Sequence, residues 1–333
     1  MKKDLISFEF QSPIRIGIPG RDEQAARDSI PADQLFSVIS LNWIKLYGIE
    51  SFYKEIINSY NDMNNSDNFA FKISDAFPVI NGKMVFPTPK WLEEKIKSNN
   101  DQLTFDKKLK TNWISINYFV EACNQNFLYL NIDSPPYMQP LPIKLTNNVN
   151  LKEDQSQPFY SAVASIPENT NGSKNNCQKK SKLEFKCLIN YDCNLSDKLN
   201  NVFKLIEIEG IGGNRSSGYG QLSKISLLGN NCEEIKLLKN LKKTSIKMLL
   251  SACIPSNASI NKIKLNLKNN HYILKTKSGW VYDENAFPTD IRKPVIHYID
   301  TGSYFDFEPI GQLIHMQFGN GLVSYKYGIP FVI

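Results

Sequence analysis

Residues 210–220 read GIGGNRSSGYG, five glycines set around Asn-Arg-Ser-Ser and a tyrosine. Glycine carries no Cβ and reaches positive φ freely, so a run like this marks a place where something comes very near the backbone. Before it, NLSDKLNNVFKLIE puts Leu195, Leu199, Val202, Phe203 and Ile206 on one helical stripe, with Ser196 expected as the N-cap. After it, QLSKISLL reads as a strand. The order helix, loop, strand excludes two common uses of glycine-rich loops. A nucleotide P-loop runs strand, loop, helix and closes on Lys-Ser/Thr, where this chain has Tyr219-Gly220. A dinucleotide fingerprint needs a helix N-terminus after the glycines to face a pyrophosphate, and none is expected here. What remains is a set of backbone amides clear of side chains, the Ser216 and Ser217 hydroxyls, the forked Arg215 cation and the Tyr219 ring. Those parts suit a phosphodiester chain and its bases. A glycine-rich helix cap with no ligand is the plainer alternative.

Upstream, LISFEF and PIRIGI alternate as strands with one buried face, and SIPADQLFSVISLNWIKLYG is a helix from Pro31 to Gly48, repeated in pattern by IESFYKEIINSY. DAFPVINGKMVFPTPK, residues 75–90, is an irregular crossing segment or a hairpin. WISINYFV, PFYSAVASI and KLEFKCLI read as strands, and the polar stretch 168–181 as an exposed loop. From about Thr244 the chain turns to short strands separated by SNAS, KSG, PTD and GNG.

The 333 residues carry 39 Lys and Arg against 33 Asp and Glu, a formal charge of +6 that fits a solvated surface as well as a polyanion site. MKKDLISFEFQS places Asp4 and Glu9 where a signal peptide needs apolar residues, and no stretch is apolar enough to span a membrane, so the expected location is the cytoplasm. The nearest approach to a metal cluster among the six cysteines is Cys177, Cys187 and Cys193, whose spacing misses the short pairs of a tetrahedral zinc site; no metal or cofactor is expected.

The helix, glycine loop and strand resemble those of the repeat-associated mysterious proteins (RAMPs) of CRISPR systems. IPADQLFSVI, SDAFPVINGKMVFPTPK and the closing YKYGIPFVI resemble further blocks of that family, in the order found in the fourth subunit of the type III-A (Csm) interference complex. The resemblance implies an α+β fold of two ferredoxin-like (RRM-type) domains with antiparallel sheets, 1–235 with the glycine loop and 240–333 richer in strands. It implies a non-catalytic subunit that holds the repeat-derived 5′ tag of the guide RNA, between the large polymerase-like signature subunit and the backbone RAMP subunit. The matching RNA-side positions are Gly210, Gly212, Gly213, Arg215, Ser216, Ser217, Gly218, Tyr219 and Gly220, with Arg15, Arg21, Ala32 and Asp33 more loosely matched. One departure is Leu151-Lys152, which stands where many relatives have the arginine of an Asn-x-x-x-Arg pattern.

Two alternatives stay open. A RAMP endoribonuclease would need an acid–base pair at the loop, and the three histidines, His271, His297 and His315, lie far from it in sequence. A purely structural assembly subunit would use Phe36, Trp43 and Tyr47 for a partner, although the first duty of those rings is their own core.

Overall fold

The computed structural model describes residues 1–18, 25–61, 69–89, 113–124, 137–138, 141–152, 155–165, 182–241, 247–265, 270–280, 292–318 and 323–333. The expected loop at 168–181 and the PTD and GNG turns lie outside the described residues.

The central strand is β1 (Lys2–Phe10). Residues Asp4 to Phe8 are all buried, so this strand is covered on both faces and not on one as its alternation suggests. The polar side chains this buries are paired: Tyr191 donates to Asp4 Oδ2 at 2.6 Å and Ser7 to Glu184 Oε1 at 2.7 Å. Helix α1 (Ala32–Phe52) follows and bends at Gly48, where φ is 81°, before a π-helical turn (Tyr53–Ile57) and a last turn to Asn61. The chain returns through β2 (Phe71–Ile73), β3 (Phe77–Ile80) and β4 (Lys83–Pro87). β3 and β4 form the expected hairpin, turned by Asn81 and Gly82, both at positive φ. β5 (Trp113–Ser115) is only the first part of WISINYFV; the rest is helix α2 (Ile116–Asn124), because the apolar side chains Ile116, Phe119 and Val120 recur at helical spacing.

β6 (Tyr137–Met138) is the outer strand of the sheet, and β7 (Ile143–Lys152) pairs with β8 (Gln155–Ala164) in a separate ribbon. β9 (Leu183–Tyr191), α3 (Ser196–Glu209) and β10 (Leu222–Leu227) complete the first unit. Ser196 is the first helical residue and not the cap; Asp192 instead caps a short 3-10 turn ahead of the helix through Asn194 N–H. The strand order is β10-β1-β9-β3-β4-β5-β6, with β2 also on β9. Reduced to β1-α1-β2/β3 and β9-α3-β10, all antiparallel, this is the fourth-first-third-second strand order of a ferredoxin-like βαββαβ unit.

Helix α4 (Glu233–Lys239) follows. Beyond it come β11 (Lys247–Met248), α5 (Asn257–Leu265), β12 (Leu274–Trp280), β13 (Arg292–Ile299), β14 (Tyr304–Phe305), β15 (Gln312–Gln317) and β16 (Val323–Gly328), again paired antiparallel. SNAS opens α5 instead of turning the chain, with Ser256 accepting from Ser259 N–H, and KSG is an irregularity inside β12. The two parts share a core. Tyr327 of β16 stacks on Phe36 of α1 at 4.9 Å, and its hydroxyl accepts from Ile73 N–H at 3.1 Å.

Candidate nucleic-acid interface

Helix α3 stops at Glu209 because Gly210 takes φ 78° and turns the chain away, its N–H still bonded to Ile206 O at 2.8 Å. The loop then closes on itself and on the segment after β1. Ile211 N–H donates to Gly220 O at 2.9 Å, Gly213 N–H to Arg15 O at 2.9 Å and Gly220 N–H to Pro13 O at 2.8 Å. PIRIGI is therefore no regular strand. It is an extended crossing piece, bridged at Ile14 to Ala164 of β8 and at Arg15 to Gly213, which lays the glycine loop beside the root of the β7–β8 ribbon.

Three glycines are demanded by this self-packing. A Cβ on Gly220 would lie 1.8 Å from Ile211 O, one on Gly210 2.6 Å from Gly220 O, and one on Gly212 2.7 Å from Arg15 O, all at positive φ. The other two are different. A Cβ on Gly218 would meet nothing within 4 Å, although φ there is 87°, and one on Gly213 would come no nearer than 3.8 Å to any atom, at an ordinary φ. Between them Asn214 sits in the left-handed region and Arg215–Ser217 make one 3-10 turn whose three side chains are exposed. Arg215 lies back toward the end of α3, 3.9 Å from Glu209 Oε2, a favourable place for a cation beside helix carbonyls. Arg15 donates to Asn214 Oδ1 at 3.3 Å.

Across from the loop is a cleft of about 500 Å³ lined by Arg15, Gly212, Gly213, Asp33, Lys277 and Lys326, among others. Helix α1 delivers Asp33 to its floor. Asp75, from the turn after β2, accepts from Ala32 N–H at 2.8 Å and from the Thr301 hydroxyl at 2.7 Å, capping α1 from 43 residues away. Burial pushes the Asp75 carboxyl up to about 6 against those hydrogen bonds. Asp33 pairs with Lys277 Nζ at 2.5 Å and Lys326 Nζ at 3.3 Å. Its burial would raise its carboxyl, but the two ammoniums outweigh that and hold it below the usual carboxylate range. A larger cavity of about 670 Å³ includes Asp28, Asp75, Trp113 and Asp300 in its lining. Its carboxylates are already engaged, by Trp113, Thr301 and Lys275 respectively for Asp28, Asp75 and Asp300.

The structure thus brings Arg15, Gly212, Gly213 and Asp33 to one cleft, with Arg215, Ser216, Ser217 and Gly218 on the adjoining loop turn and Tyr219 half-buried behind it. Gly210 and Gly220 are inside the loop's own packing, Ala32 is buried with its amide taken by Asp75, and Arg21 lies outside the described residues. Sequence reasoning missed Lys277, in the KSG stretch, and Lys326, inside the closing block YKYGIPFVI, because neither segment marks its lysine as a site residue. The described histidines are elsewhere: His271 stacks on Tyr304, His315 lies against Tyr325 and His297 is exposed on β13. Cys187 is buried in β9 while Cys193 is exposed, and among the described residues no three His, Cys, Asp or Glu side chains are placed to hold a metal.

Residues 7–223 match the model of the RAMP superfamily. The chain belongs to the RAMP superfamily. Residues 242–333 of this RAMP protein match the model of the CRISPR Csm4 C-terminal domain, which makes the chain Csm4-like. No curated protein sequence matches it. Among solved structures it resembles a chain of the Csm3–Csm4 subcomplex of the type III-A CRISPR-Cas interference complex, with TM-score 0.60 and 19% identity over 99% of this chain and 98% of that one. It also resembles a chain of the Csm1–Csm4 cassette in complex with cA3, with TM-score 0.56 and 14% identity over 99% and 97%. At these identities the likeness establishes the fold. No described helix is long and apolar enough to cross a membrane.

Proposed function

We propose that this chain is a non-catalytic, RNA-binding subunit of a type III-A CRISPR interference complex, holding the repeat-derived 5′ tag of the guide RNA in the cleft beside the glycine loop. The single observation that carries this reading is the chemistry of the cleft and its adjoining turn: space left open beside Gly213 and Gly218, exposed Arg215, Ser216 and Ser217 on the turn, and a cationic wall across the cleft. Its side chains are suited to gripping an anion, and no histidine lines it among the described residues.

The structural relatives are chains of Csm3–Csm4 and Csm1–Csm4 assemblies, which supports a place between the large signature subunit and the backbone RAMP subunit in the cytoplasm. An apolar face is present for such a partner. Leu41, one turn before Lys45 on α1, and Ile208, next to Glu209 on α3, are exposed at 59% and 83%, and the Lys45–Glu209 ion pair joins the two helices at that point. The proposed units are 1–235 and 240–333, each ferredoxin-like.

The test is an anisotropy titration of the full chain, alone and in the assembled complex, with tag-bearing single-stranded RNA at several salt concentrations. Arg215→Ala should stay folded and weaken binding by about 1.5–3 kcal/mol, with a shallower salt dependence by about one phosphate. Unchanged affinity and slope would leave Arg215 as a helix-end cation only. In the same mixtures the RNA should remain uncut.

A further inference from the structure

The charges around Asp33 do not balance. Lys277 of β12 and Lys326 of β16 both pair with it, at 2.5 and 3.3 Å. Lys293 of β13 lies opposite Gly279 in the strand register, is half-buried, and has no ion pair among the described residues. It nonetheless feels both Lys326 and Asp33: burial, and then repulsion from Lys326, favours its neutral form, while Asp33 opposes this. At Lys277 burial outweighs the attraction of Asp33, and Lys326 and Arg27 repel it further. Two ammoniums thus share one carboxylate, with Lys293 one strand away in register with Gly279, and Asp33 is the only acid lining the cleft among the described residues. Like charges gathered inside one Debye length, roughly 10 Å at 0.1 M salt, disfavour the isolated fold and focus a positive potential into the cleft. Lys277 is 7% exposed and serves as the buried half of the Asp33 pair, whereas Lys326 is 22% exposed and looks onto the cleft with Arg15 and the Gly212-Gly213 backbone opposite.

We propose that Lys326, held by Asp33, and Lys293, on the neighbouring hairpin strand in register with Gly279, form a phosphate seat on the C-terminal hairpins, so that the RNA backbone is gripped from both parts of the chain. This rests on reading the cleft as the RNA site. It makes Asp33 a positioning residue instead of an RNA contact, and it names β13 and β16 as the C-terminal strands that meet RNA.

The experiment titrates a fluorescent single-stranded RNA carrying the repeat-derived 5′ segment against the full chain at several salt concentrations. The variants are Lys293→Gln, the double variant Lys293→Gln/Lys326→Gln, and Arg215→Ala as the loop-side comparison, with thermal unfolding of each. Lys293→Gln gives up repulsion and no ion pair, so its melting temperature should hold or rise while affinity at low salt falls about 3–10-fold. The log–log salt slope should drop by about 0.7 for each lysine removed. If the double variant binds with wild-type affinity and slope while Arg215→Ala is weakened, the phosphate seat is wrong and the cleft reading survives. If all three bind as wild type does, the cleft reading falls with it. A marked loss of melting temperature in Lys293→Gln would show that the lysine serves the fold, and would overturn the seat as well.

Discussion

On one side of the cleft the glycine loop is fixed by backbone lying against backbone; on the other, Asp33, Lys277 and Lys326 are fixed by charge. The first wall depends on contacts that salt and pH do not touch, such as Ile211 N–H to Gly220 O and Gly213 N–H to Arg15 O. The second depends on ions taken out of water, where removing one partner strands the others. The contrast separates two reasons for a glycine. At 210, 212 and 220 the protein's own carbonyls occupy the space a side chain would need, so these residues report on folding. At 213 and 218 the space is open, so only these two can report on a ligand.

The strongest break to the backbone wall is Gly220→Ala. Its methyl group would fall 1.8 Å from Ile211 O at φ 67°, and the obstruction is backbone that cannot swing aside. Strain at positive φ together with overpacking should cost about 5 kcal/mol, read as a lowered melting temperature at every salt concentration. A variant that melts with wild type would show that the loop does not close as described.

The charged wall breaks next most severely. Asp33→Asn leaves Lys277, 7% exposed, without its counter-ion and should destabilise by about 3–5 kcal/mol at neutral pH. Because the folded-state carboxyl is held below its ordinary value, this stabilisation is complete above the unfolded value, about 3.9, and fades as pH falls through the lower folded one. Urea titrations should therefore show the variant and wild type converging in strong acid. A constant gap would mean that the introduced amide disturbs packing and that charge is not the cause.

Asp75, which caps the helix that carries Asp33, shifts the other way. Its folded carboxyl is raised from 3.8 to about 6, so the native state holds the extra proton and stability falls as pH rises through that window. Above it the ionised form costs at most about 3 kcal/mol. Asp75→Asn keeps an acceptor for Ala32 N–H and should be the more stable protein at pH 8, with the advantage vanishing below about pH 4. A variant less stable than wild type at pH 8 would mean that the negative charge itself, beside Arg27 and Lys277, is needed there.

The two walls also differ in how far the sequence discloses them. The loop is local: eleven consecutive residues state its need for free backbone, and the flanking periodicities place it between α3 and β10. Its purpose is harder to read, because sequence cannot tell a glycine pressed by Ile14 and Arg15, near the other end of the chain, from one left open. The charged wall is assembled from positions 33, 277, 293 and 326; Asp33 stands in the block IPADQLFSVI, but the three lysines look like any others in a chain with 39 basic and 33 acidic residues. Only the fold, which stacks Tyr327 on Phe36 and so swings β16 over α1, brings them together. The same limit explains WISINYFV, where a buried helical stripe and an alternating strand are indistinguishable over so short a run.

The smallest effect on folding belongs to Gly213→Ala, and that is why it isolates the ligand question. The residue has an ordinary φ, its nearest neighbours would stand 3.8–4.0 Å from the new methyl group, and its N–H would keep its bond to Arg15 O. Stability should move by no more than about 0.5 kcal/mol, and could rise as the unfolded chain loses freedom. Gly213 is exposed on the cleft, so a methyl group there stands where a phosphodiester chain would have to approach. Anisotropy with tag-bearing RNA should show weaker binding by about tenfold at all salt concentrations with the slope unchanged, since a steric block removes no charge. That pattern is the opposite of the one expected for Lys293→Gln, in which the slope falls. If Gly213→Ala binds as wild type does while Arg215→Ala is weakened, the RNA passes over the turn at 215–217 without entering the cleft. The charged wall would then face a partner other than the guide.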